Sequence, residues 1–136
     1  MEKERKSFNH QKPAFLDDFN CVITHLDPQK GICEMTFDIS EHFCHSGDII
    51  QGGFVTAMLD AVSTFAAFST NSNIIKLATL ELKVTFLRAS RAGKFKAIGR
   101  VEQMGKSIAF LTGDLFDETG QKTASITTTA KIRNEG

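Results

Sequence analysis

One carboxylate, Asp60, stands in the middle of the most apolar run of this chain, Gly53 to Phe68. Burying a carboxylate is costly unless it is paired or put to use. Directly upstream lies Gln51-Gly52-Gly53, a polar side chain and two glycines where a helix is predicted to begin. Such a start leaves backbone N–H groups open to an oxygen of a ligand. A carboxylate able to take a proton and amides able to hold an oxygen make this element a candidate active site.

The other side chains able to do chemistry are more scattered. His42-x-x-His45 with Cys44 between them has a superficial look of metal ligation. A zinc site needs three or four converging ligands, and no partner cluster exists elsewhere, so no metal is expected. Residues 82–101 carry Lys83, Arg88, Arg91, Lys94, Lys96 and Arg100 without one acidic residue. That is a local concentration of positive charge or an ordinary solvated hairpin face. With net charge zero and few aromatics interleaved, nucleic-acid binding is not expected.

The elements that must position these residues follow from periodicity. Residues 1–18 are expected to form an N-terminal tail or short helix, and residues 19–136 a single domain. Residues 19–26 are a candidate strand, and Pro28-Gln29-Lys30-Gly31 is a turn. Cys33, Met35, Phe37 and Ile39 alternate with Glu34, Thr36 and Asp38, a strand with one apolar face. Residues 40–50 read as an irregular loop. The helix spans about Gly52 to Ser69 and is apolar nearly all round, which predicts an enclosed element.

Four period-two segments complete the chain. Leu80, Leu82, Val84 and Phe86 define the first, and Phe95, Ala97 and Val101 the second; residues 107–116 and 123–132 follow. Ala92-Gly93, Met104-Gly105 and Glu118-Thr119-Gly120 are read as hairpin turns between them. The order β-β-α-β-β-β-β, with short turns late in the chain, implies antiparallel pairing. The expectation is an α+β fold, a curved antiparallel sheet wrapped around one central helix.

Composition bounds the setting. A chain of 136 residues can bury a proper core. Three cysteines with no Cys-x-x-Cys pair read as buried thiols in a reducing compartment. The polar N-terminus is followed by no apolar run, so no signal peptide is expected. The central helix looks slightly short for a membrane span and carries Asp60 at its centre. A cytoplasmic protein without membrane partners follows.

That order, with Gln51-Gly52-Gly53, Asp60 seven residues after Gly53, and the strand Thr79–Leu87, resembles the hotdog-fold acyl-CoA thioesterases, most nearly the phenylacetyl-CoA thioesterase (PaaI-like) group. The resemblance covers roughly residues 19–133. It implies that Asp60 is the general base or nucleophile and that the Gly52 amide polarises the thioester carbonyl. Gln51 stands where many members have His, and Thr79 matches a Ser or Thr that places the attacking water. His45 falls where the group usually has Asn. An acyl-CoA substrate, no cofactor, and dimers that often pair into tetramers are also implied.

The residues fit that chemistry. Thioester hydrolysis needs an activated water or nucleophile and donors for the oxygen that gains charge. Burial should raise the basicity of Asp60. Gln51 can add an amide donor, while Gly53 and His45 border the expected substrate site. Arg88 and Arg91, near the turn, are the expected contacts for the phosphates of coenzyme A. Phe54, Met58, Phe65 and Phe68 suit either an acyl pocket or a plain core.

One distance bears on assembly. Gly52 and Asp60 are eight residues apart, about 12 Å along a helix, whereas catalytic contacts need about 3 Å. Two helices related by a two-fold axis can bring Asp60 of one subunit to Gly52 of the other. A homodimer with shared sites is therefore expected. The alternatives are a hydratase or dehydratase, for which the helix offers no catalytic His, and a non-catalytic acyl-CoA-binding module, which would not require Asp60.

Overall fold

The computed structural model describes residues 12–135. Strands β1 (Val22–Asp27) and β2 (Ile32–Ile39) form the first antiparallel pair. Short strands β3 (Cys44–Ser46) and β4 (Ile49–Ile50) pair next, where an irregular loop is expected. Helix α1 (Gly52–Thr70) follows, then β5 (Ile74–Phe86), β6 (Gly93–Met104), β7 (Ile108–Asp117) and β8 (Lys122–Asn134). The main sheet has six strands in the order β1-β2-β6-β7-β8-β5, all neighbours antiparallel. Apart from the small β3–β4 pair, the β-β-α-β-β-β-β order and the sheet on one central helix are as the alternation predicts.

The sheet order corrects one turn. Ala92-Gly93 does not close a hairpin, because β5 pairs with β8 at one edge while β6 lies between β2 and β7. Residues 87–92 instead cross from one side of the sheet to the other. Leu87 and Arg88 donate their amides to the Thr123 carbonyl; Ile50 donates to Ser90 and Ala92 to Asp48, fastening the crossing to β8 at one end and to β4 at the other. Gly93, at φ 138°, opens β6 in a conformation that favours glycine.

The core lies between α1 and the sheet. Cys33, Met35, Phe37 and Ile39 of β2 are buried and meet Val55, Met58, Leu59 and Val62 of the helix within one hydrophobic cluster. The helix approaches β6 so closely that a Cβ on Gly99 would lie 2.2 Å from the Val62 carbonyl oxygen. No side chain fits there, and glycine sets the helix–sheet spacing. Ala14–Phe19 forms a 3₁₀ helix whose Leu16 and Phe19 join the same core. Residues 1–11 of the expected tail lie outside the described residues.

The helix is not enclosed on all sides. A single sheet can cover only one side of it, and Gly53, Phe54, Thr56, Ala57, Asp60, Thr64 and Phe68 remain partly or fully exposed. At 19 residues α1 is also long and apolar enough to cross a membrane by length and composition, so length is no argument against a span. Its packing decides: the side carrying Met58, Leu59, Val62, Ala66 and Ala67 has essentially no exposure, as a core helix does.

Candidate active site

The start of α1 is bare of caps. Gln51 occupies the N-cap with φ −54° and ψ 133°, and its side chain makes no cap hydrogen bond. Its carbonyl accepts from Phe54 and Val55. By helix geometry the Gly52 and Gly53 amides have no acceptor within the helix. The Phe43 carbonyl accepts the Gln51 amide, which pins the entry of the chain. A Cβ on Gly52 would meet the Phe86 ring at 3.2 Å, so glycine lets that ring close over the first turn. Gly53 has open space around it.

Asp60 lies two turns further on. The Ser63 and Thr64 hydroxyls donate to its carbonyl at 3.1 and 2.9 Å, fixing the backbone beneath it. Its Oδ1 is buried with no hydrogen-bond partner among the described residues. Burial raises the carboxyl above its ordinary value, and a hydrogen bond from Thr79 pulls the other way. A buried, under-satisfied carboxylate oxygen calls for an explanation, and an absent reaction partner is one.

A bulge delivers Thr79 to that position. Thr79 pairs with Ala130 and Glu81 with Thr129, so Leu80 is an extra residue in β5. Leu82, Val84 and Phe86 pair with Thr128, Ile126 and Ala124, whose row along β8 is buried. Without the bulge, strict alternation would place Leu80 on that inner face and Thr79 outside. The extra residue reverses the parity and turns the Thr79 hydroxyl toward Asp60. Leu80 itself is displaced outward and is 58% exposed.

The expected site residues fall into three groups. Asp60 and Thr79 form the pair just described. His45, Gly52 and Arg88 line one cavity of about 460 Å³ with Phe86 and Ser90. Gln51 and Gly53 line a second cavity of about 460 Å³ on the other side of the helix start, walled by phenylalanines. His45 Nδ1 and the Ser46 hydroxyl are 2.7 Å apart. Arg91 belongs to none of these groups: its backbone bridges to Ile49, it lines neither cavity, and its side chain pairs with Asp48 at 2.7 Å. Of the four apolar candidates for an acyl pocket, Met58 and Phe65 are buried core residues and Phe54 lines the second cavity.

The basic stretch is less concentrated in space than in sequence. Lys96 pairs with Glu34 at 2.9 Å and Arg100 with Asp114 at 3.3 Å, both across strands. Asp117 feels the charge of Arg88, and Arg88, Arg91 and Lys94 share a cleft with Asp117 and Glu118. Among the described residues, no cluster of His, Cys, Asp and Glu could hold a metal ion. Sequence reasoning missed Phe86, the ring over Gly52. Its only signal was one more aromatic in an alternating strand.

The fold and this site define a class. A family model, the thioesterase superfamily, matches residues 47–124, more than half of the chain and the stretch that carries every expected site residue except His45. The chain belongs to that superfamily, and its architecture is the hotdog fold. A curated Thermoplasma volcanium protein, provisionally named an esterase, is 28% identical over 65% of this chain and 66% of its own length. A solved structure of a Ralstonia eutropha JMP134 phenylacetic acid degradation-related protein, provisionally called a thioesterase, is 28% identical. It covers 89% of this chain and 91% of that one at a TM-score of 0.84. A Streptococcus mutans UA159 protein solved with acetyl-CoA shares the fold at 18% identity, 93% and 96% coverage and TM-score 0.80. The kinship implied by the Gln51–Gly53 and Asp60 spacing is borne out at the level of family and fold.

Proposed function

We propose that the protein hydrolyses an acyl-CoA to a free carboxylic acid and CoA, at sites shared between two copies of the chain. The observation that carries this reading is the buried, unpartnered Oδ1 of Asp60 on the same helix as the uncapped Gly52 amide. Their axial separation of about 12 Å forbids one chain from presenting both to one carbonyl.

Asp60 takes a proton from water, and the oxygen attacks the thioester carbon. Negative charge moves to the carbonyl oxygen, where the Gly52 amide of the other copy and the Gln51 side chain donate hydrogen bonds. Such donors are preorganised and need no reorientation as charge builds. The C–S bond then breaks, and the thiolate leaves with the proton held by Asp60. Thr79 orients the carboxylate and the water. In the nucleophilic variant Asp60 attacks directly, and water cleaves the resulting anhydride. Single turnover in ¹⁸O water separates the two, since only the variant places label in the enzyme.

Support for a second copy comes from β5. It is an edge strand of 13 residues with Ile75, Leu80, Leu82 and Phe86 each at least 38% exposed. A long apolar edge is a template for pairing with another chain. The open stripe of α1 through Gly53, Ala57, Asp60 and Thr64 adds small side chains that let two helices approach. A tetramer would be built from two such dimers. A cytoplasmic setting accords with the three free cysteines, two of them buried with thiol pKa values pushed up by burial.

A thiol-release assay over aliphatic and aromatic acyl-CoAs, with Asp60→Asn beside wild type, tests the reading. We expect wild-type turnover and a loss of about 10²- to 10⁴-fold in kcat for a variant that folds and assembles normally. Full activity in Asp60→Asn would remove the residue from the chemistry. No thiol released from any substrate would favour an acyl-CoA-binding module.

A further inference from the structure

We infer that the acyl group of the substrate occupies the phenylalanine-walled cavity on the Gly53 side of the helix start, and that Asp18 at this cavity excludes acyl groups ending in a carboxylate. The inference rests on the thioesterase reading and extends it to substrate choice.

The start of α1 separates two cavities. Gly52 faces the one that also holds His45 and Arg88, while Gln51 and Gly53 face the one walled by Phe15, Phe19, Phe43 and Phe54. A carbonyl held at Gly52 has two substituents that diverge, the sulfur arm and the acyl chain. The polar, phosphate-bearing arm matches the cavity with the arginine and histidine. That leaves the acyl chain the aromatic cavity, whose volume of about 460 Å³ is within the ~300–1,000 Å³ of ligand pockets.

The walls pack on one another. Phe43 packs edge-to-face against Phe19 at 5.1 Å and against Phe54 at 5.0 Å, and Phe15 meets Phe19 edge-on at 6.2 Å. Phe15 is nevertheless 53% exposed and Phe54 37%. An apolar occupant would remove that surface from water. Among the described residues that line the cavity, Asp18 is the only charged one and no Lys or Arg joins it. A terminal carboxylate would meet like charge and no partner, whereas an uncharged chain of the same length would not. Phe15 and Asp18 lie on the 3₁₀ helix Ala14–Phe19, so a segment ahead of β1 sets specificity.

Hexanoyl-CoA and adipoyl-CoA match in chain length and differ in the terminal carboxylate. In low-salt buffer, wild type should turn over hexanoyl-CoA with at least about tenfold higher kcat/KM. Asp18→Asn, an exposed and fold-neutral change, should narrow that preference several-fold. Phe15→Ala should lower the hexanoyl to acetyl ratio of kcat/KM by about tenfold. Calorimetry with S-hexyl-CoA, a thioether that cannot be hydrolysed, should show tighter binding than CoA itself and a weaker gain in Phe15→Ala.

Ratios within twofold of wild type in both variants would overturn the assignment. So would S-hexyl-CoA binding no tighter than CoA. Should wild type release no thiol at all, the thioesterase reading falls. The cavity assignment is then decided by calorimetry alone, where an alkyl-dependent gain lost in Phe15→Ala upholds it.

Discussion

Strands β2 and β5 look alike in sequence and behave oppositely in the fold. In β2, Cys33, Met35, Phe37 and Ile39 are all buried, at 0–2% exposure, while the intervening residues face outward. In β5 the pattern Leu80, Leu82, Val84 and Phe86 alternates just as regularly, yet the bulge turns Leu80 outward, and of the three left on the inner face Leu82 and Phe86 are at least 38% exposed. The difference is neighbourhood. β2 has a strand on each side and the helix over its inner face, whereas β5 is an edge with only β8 beside it. A pattern that signals burial in the first strand signals an unfilled contact in the second. The edge also carries a bulge, and an interior strand could not take one at Leu80 without disturbing two ladders.

The largest effect should come from damaging the centre. Gly99→Ala puts a Cβ 2.2 Å from the backbone of Val62 and forces helix and sheet apart. We expect a loss of about 3 kcal/mol or more in chemical denaturation. A loss under ~1 kcal/mol would mean that the helix–sheet spacing is slack.

At the edge the expectation is different in kind. Leu82→Lys puts a charge on the inner face of β5 at a position already 38% exposed. It should cost the isolated fold less than ~1 kcal/mol yet convert the protein to monomers in sedimentation, with activity lost in parallel. A dimeric, fully active Leu82→Lys would detach β5 from assembly.

The smallest effect concerns the bulge. Thr79→Val removes the hydroxyl that favours the charged form of Asp60. The acidic limb of kcat/KM should move to higher pH, with turnover near neutrality reduced about tenfold. The stability sign runs the other way. A carboxyl raised by burial binds its proton more tightly folded than unfolded. Stability is therefore lost as pH rises above the ordinary 3.8 through the folded value. Asp60→Asn should accordingly raise the melting temperature at neutral pH and leave it unchanged well below pH 3.8.

Much of this was legible in the chain because local pattern and global position agree. β2, the helix and the two late hairpins follow from period and turn residues alone, and the acid among apolar neighbours marks Asp60. The rest depends on long-range facts. Nothing near Leu80 marks it as the extra residue, since the alternation runs unbroken from Leu80 to Phe86 and the bulge appears only against β8. The Ala92-Gly93 turn misled for the same reason: glycine marks a change of direction, not the strand that will be met next. Phe15 fell within a stretch read as tail or short helix and Phe19 at the start of a candidate strand, because two aromatics in a polar segment show no period.

Because Gly52 and Asp60 share one helix yet would serve opposite centres, each copy carries half of two sites. Gly52→Pro deletes the amide hydrogen and adds a ring that the Phe86 side chain must swing aside to admit; proline is otherwise welcome at the first helical position, and Gln51 already has the extended ψ that proline requires of its predecessor. Two dead proteins, Gly52→Pro and Asp60→Asn, would then rescue each other when refolded together. Half of the random pairs are mixed, and each mixed pair rebuilds one intact centre, so about a quarter of normal activity should return. Activity would be a property inherited by the pair and absent from either parent.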